Sequence, residues 1–177
     1  YNTWDRNIPA ELVELLNADP DMAPAVLTFD ILYMNDLTTD GDARFAKACK
    51  DAGNVITANN LVYEKTTKQD ANGDYYVDEL HIRMVEKPYE ALNAVTRTGF
   101  ANTTQDKDGY IRQALAYEDA EEGRIYSLAY ETYAAYMEDT GRKPVMPALY
   151  ANNKFDFTYT GKSGSYEAVS LCDVLNG

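Results

Sequence analysis

GFANTTQDKDGYIRQAL, residues 99–115, reads as a strand, an acidic turn and a returning strand. Phe100 and Ala101 open an extended segment. Asp106, Asp108 and Gly109 make a tight turn, in which glycine supplies a positive φ that other residues resist. Tyr110, Ile111 and Leu115 resume a β-favouring pattern, so the expectation is a β-hairpin. A hairpin explains the glycine and the β-formers. It leaves unexplained two aspartates just ahead of Arg112, whose guanidinium can bond carboxylates bidentately.

Outward from this stretch, helical and extended patterns alternate. Residues 8–17 carry Leu12, Leu15 and Leu16 at helical spacing, with Pro9 in the first turn. Residues 25–34, AVLTFDILYM, read as a buried strand. Residues 40–52 are expected to be a helix with Phe45, Ala48 and Cys49 inward and Gly53 as its cap. Residues 54–63 are the next strand, and Asn72-Gly73 gives a two-residue hairpin signal. Residues 86–95 are a short helix. Residues 127–139 are a longer one, closed by Gly141 and Pro144. Residues 155–159 alternate as a strand, and Ser170 with Asp173 suggests a capping box at a last helix. Strands separated by helices favour an α/β fold: a central mixed, partly parallel sheet flanked by helices, with added hairpins.

At 177 residues the chain fits one domain, residues 1–177. Its net charge of −13 argues against nucleic acid as a partner and against docking on an anionic membrane surface. No apolar run is long enough to span a bilayer, and no signal peptide is evident. Cys49 and Cys172 both fall on predicted helices among apolar neighbours and read as two small buried thiols.

Catalytic and metal motifs are incomplete. Gly161-Lys162-Ser163 ends like a phosphate-binding loop, but Asp156 stands where the pattern needs its first glycine. Residues 70–74 begin like a calcium loop, yet Tyr75 and His81 occupy the positions that need glycine and glutamate. The turn at Asp106 and Asp108 fails the same test, so both read as turns. His81 is the only histidine, so no Ser-His-Asp or Cys-His arrangement can draw on a second one, and with one histidine and no C-x-x-C nothing resembles a zinc site. No cofactor and no metal are expected.

Asp30 interrupts the apolar run of the central strand expected over residues 25–34. A carboxylate there must be hydrogen-bonded, paired with Arg6 or Arg112, or placed at the strand's carboxyl end, where open α/β sheets bind ligands. Arg112 either braces the Asp106–Asp108 turn or faces an anionic ligand. Asp30, Asn35 and Arg112 are the candidate ligand contacts; Arg6, Asp106, Asp108 and Gly109 are the candidate structural residues. Among fifteen tyrosines, Tyr126, Tyr130, Tyr133 and Tyr136 run along one helix, a packing or homodimer face.

Four collinear segments carry a resemblance to a known family. These are Trp4-Asp5-Arg6; Thr28 to Tyr33 (TFDILY); GF-x-N, D-x-D-G-x-I-R and Ser127-Leu128-Ala129 in succession; and residues 159–177, YTGKSGSYEAVSLCDVLNG. Together they resemble the type-two CHASE family, extracellular sensory domains associated with bacterial cyclases, histidine kinases and serine/threonine kinases. Members usually carry one further strand at each end, so the chain resembles an excised core. The resemblance implies a non-catalytic sensor on the extracytoplasmic face of a bacterial membrane. It would relay a small-molecule or membrane-proximal signal, through flanking helices, to an adenylate or guanylate cyclase, with a kinase as the alternative output. The competing class is a secreted acidic hydrolase or calcium-dependent binding protein using the acidic turns.

Overall fold

The computed structural model describes residues 4–121 and 123–176. Gly177, which ends the last of the four motifs, lies outside the described residues. The core is a short parallel sheet. Strand β1 (Leu27–Phe29) pairs in parallel with the start of β2 (Val55–Gln69), and β4 (Arg97–Phe100) pairs in parallel with β2 over Ile56 to Asn59. From Asn60 onward β2 pairs antiparallel with β3 (Tyr75–Glu86), forming a long ribbon whose outer part is exposed. The sheet is therefore mixed, with helices on both faces, as the alternating pattern requires.

Helices α1 (Asn7–Leu16), α2 (Asp40–Ala52) and the single turn α3 (Glu90–Asn93) cover one face, where Ala10, Val13, Phe29, Phe45, Cys49 and Val55 form the main core. Helix α4 (Leu128–Asp139) covers the other, with Leu128 against Ile56 and Ala58. Two small antiparallel sheets complete the fold: β5 (Gln113–Leu115) with β8 (Lys154–Asp156), and β6 (Tyr117–Ala120) with β7 (Gly123–Tyr126). A last helix, α5 (Leu171–Asn176), packs against α1.

Helix α2 follows its expected boundaries, with Phe45, Ala48 and Cys49 buried and Gly53 closing it at φ +71°. Several other expectations are corrected. The buried face of α1 is Pro9, Ala10 and Val13, while Leu15 is 47% exposed. The strand expected over residues 25–34 stops at Phe29. The helix expected over 86–95 shrinks to Glu90–Asn93 because Glu86 still pairs with Asn60 in the ribbon. The ribbon's turn takes five residues, 70–74, rather than two: Asp70 accepts the amides of Asn72 and Asp74, which widens the loop. Cys172 is exposed, unlike buried Cys49, because the short α5 turns it to solvent.

The hairpin expected over residues 99–115 is absent. Gly109 does sit in a tight turn at φ +83°, closed by the Asp106 amide donating to the Tyr110 carbonyl at 2.7 Å. Its flanks, however, do not pair with each other. Phe100 belongs to the central sheet and Gln113–Leu115 pairs with β8. Asn102 explains the departure. Its carboxamide accepts from the Leu61 amide at 2.7 Å and donates to the Leu61 carbonyl at 2.9 Å, taking the bonds a continuing strand would make.

Candidate functional site

The chain leaves β1 at Asp30 and β4 at Ala101, and the carboxyl ends of both strands open into one crevice of about 300 Å³. Residues 101–104 form one wall. Ile111 and strand β5 form another, together with Phe157 and Tyr159 from the segment after β8. The first turn of α4, Ser127 to Ala129, forms the third. This is the position at which open α/β sheets bind ligands.

The crevice exists because α4 comes unusually close to β4. A Cβ added to Gly99 would lie 2.6 Å from Leu128 Cα and 2.7 Å from Leu128 N, so only glycine lets the helix start there. Ser127 caps the helix, its Oγ accepting the Tyr130 amide at 3.3 Å, and Phe100 and Ser127 form a parallel β-bridge. Arg97 anchors the next turns through ion pairs to Glu131 and, at 2.8 Å, to Glu138. Burial raises the Glu131 carboxyl above its ordinary range, against the opposing pull of Arg97.

Most polar side chains around the crevice are already engaged. Asn102 holds Leu61, Thr104 accepts from Lys154 Nζ at 3.0 Å, Gln113 donates to Asp156 at 3.0 Å, and Ser127 caps α4. Asp30 is different. It is exposed, lines the crevice, and has no hydrogen-bond or ion-pair partner among the described residues. The expected pairing of Asp30 with Arg6 or Arg112 does not occur.

The structure separates the other candidate residues. Arg112 bonds Asp106 at 2.7 Å and Asp108 at 2.8 and 2.9 Å, and it stacks on Tyr110. These bonds, helped by the Tyr110 amide, hold the Asp108 carboxyl at about 2, well below the usual carboxylate range. Arg112 thus sits on an exposed acidic turn outside the crevice wall. Asn35 lies elsewhere again. Its carbonyl accepts from Arg6, which is fully buried, 3.5 Å from Asp42 and stacked on Tyr33.

A larger opening of about 750 Å³ lies at the amino ends of the strands, near Pro24 and Asn54. Three of its charged residues pair locally, Glu14 with Arg44 and Lys47 with Asp51. His81 is exposed and 3.4 Å from Glu64. Among the described residues, no group of three His, Cys, Asp or Glu side chains is arranged to hold a metal, and no helix is long and apolar enough to cross a membrane. The Gly161-Lys162-Ser163 stretch forms a surface turn in which the Ser165 amide donates to the Lys162 carbonyl.

Sequence reasoning offered a strand's carboxyl end as one of three alternatives for Asp30 and missed the rest of the crevice: Gln113 to Leu115, Phe157, Tyr159 and the α4 turn. A signal for part of it was present. Asp30, Phe100, Asn102, Ile111, Ser127, Leu128 and Tyr159 all belong to the motif segments quoted above, and in three dimensions they surround one cavity.

The family model for the CHASE2 domain matches residues 2–176, essentially the whole chain. No curated protein and no solved structure gives a significant match. The chain belongs to the CHASE2 domain family, a family of extracellular sensory domains.

Proposed function

We propose that the chain is the extracytoplasmic sensing part of a bacterial membrane-bound adenylate or guanylate cyclase, and that the crevice between β1, β4 and α4 receives its signal. Membership of a sensory family supports the class. One observation carries the choice of site: motif residues scattered from Asp30 to Tyr159 line a single cavity. The chain's part in this reading is to bind and to change the seat of α4, with no chemical step of its own.

The test has two parts. The reading frame around the chain should encode membrane spans and a downstream cyclase. A kinase there would reassign the output, and absence of spans would overturn the class. In the intact membrane protein, Ala129→Trp, which fills the crevice from α4, should abolish the stimulus-dependent change in cyclic nucleotide production. An unaltered response would exclude the crevice.

A further inference from the structure

The chemistry of the crevice narrows what it can take; this inference rests on the crevice being the sensing site. Its walls are largely apolar, with Phe100, Ile111, Leu115, Leu128, Phe157 and Tyr159 facing the space. Its volume of about 300 Å³ lies at the small end of ligand pockets. Phe157 and Tyr159 stand edge to face, ring centroids 5.2 Å apart, in a wall of aromatic surface. Asn102, Thr104, Gln113 and Ser127 are held by the fold, which leaves the Asp30 carboxylate as the uncommitted charge on the rim.

The geometry points to a small organic cation as the ligand: an ammonium group paired with Asp30, carried on an apolar or aromatic body that fills the space against Phe157, Tyr159 and Leu128. A carboxylate beside apolar walls pairs with an ammonium through a charge-assisted bond, while aromatic faces attract the same cation. The start of α4 would by itself suit an anion. An anion there would meet the Asp30 charge in a chain of net charge −13, and the Tyr130 amide is already taken by Ser127. A neutral apolar ligand would leave the carboxylate unused.

The test compares three near-isosteric probes on the purified chain: 2-phenylethylamine, 3-phenylpropionate and 2-phenylethanol. Binding is followed by calorimetry and by amide NMR shifts. The amine should bind most tightly, with shifts at residues 100–104 and 127–129. Asp30→Asn should weaken it by about tenfold or more while leaving the alcohol unchanged. Ala129→Trp, which keeps the carboxylate, should abolish both. Preference for the propionate, equal binding of all three, binding unaffected by Asp30→Asn, or no binding of the amine would each overturn the assignment. Failure here with a signalling response still lost in Ala129→Trp would reject the cation and leave the crevice as the sensing site.

Discussion

Gly99→Ala tests the feature on which both fold and crevice depend. The new methyl carbon would stand 2.6 Å from Leu128 Cα, 2.7 Å from Leu128 N and 2.9 Å from the Ser127 carbonyl carbon. Favourable contact between such atoms begins at roughly 3.5 Å, so the first turn of α4 must retreat by about 1 Å. All three atoms are backbone, and none can rotate aside. Overpacking of this kind costs about 1–3 kcal/mol, and the rigid neighbours place it at the upper end. With a urea m-value of roughly 2 kcal/mol/M for a domain of this size, the unfolding midpoint should fall by about 1–1.5 M. Gly53→Ala is the control. Gly53, unlike Gly99, has a positive φ, and nothing stands within 4 Å of its added methyl, so it pays only a backbone cost of about 1 kcal/mol. Crevice ligands should be weakened by Gly99→Ala and unaffected by Gly53→Ala. A Gly99→Ala midpoint within about 0.3 M of the parent, about the error of such fits, would refute the close approach of α4.

Arg6→Met removes the buried partner of Asp42. The carboxylate keeps the Leu37 amide at 2.8 Å but loses its counter-charge, and denaturation should register a loss of about 3 kcal/mol; an unchanged midpoint would mean that Asp42 does not need Arg6. Asp108 supplies a pH test. Its folded carboxyl titrates at about 2, below an unfolded value near 3.9, so the Arg112 pairing stabilises the fold above that range and is lost as pH falls towards about 2. In Arg112→Ala, side-chain carboxyl NMR should show the Asp108 titration moving up towards the ordinary range, and an unmoved titration would contradict the pairing.

The elements legible in the sequence were those whose local signals and tertiary partners agree. Helix α2 has an N-terminal cap, inward residues at helical spacing and a left-handed glycine, and no tertiary contact opposes them. For α1 the count of leucines pointed to the wrong face. Gly41 of α2 would place a Cβ 3.1 Å from Asn7 N, so the two helices meet closely on the small Ala10 side, leaving Leu15 outside. The turn at Gly109 was readable because glycine conformation is local. The pairing of its flanks was not, because β5 finds its partner more than thirty residues later in β8 and Asn102 diverts the chain after β4. Asp30 shows the same limit from the other side. Its charge made a fully buried strand costly, and the fold resolves that cost by ending β1 at Phe29. From sequence alone, a paired carboxylate and a strand that stops are equivalent solutions.

A chain of net charge −13 attracts any cation, so amine binding by itself says little about the crevice. The two sources of attraction differ in range. The general field is screened over about 8 Å at physiological ionic strength, whereas a pair in contact with Asp30, flanked by apolar walls, is screened much less. Raising salt should therefore erase the contribution of remote carboxylates first and preserve the difference between the parent chain and Asp30→Asn. A difference that vanishes with salt as fast as the binding itself would assign the attraction to the surface at large. One that persists requires the ammonium to sit against this carboxylate, and among the described residues that places it at the end of β1, beside the turn of α4 that Gly99 seats.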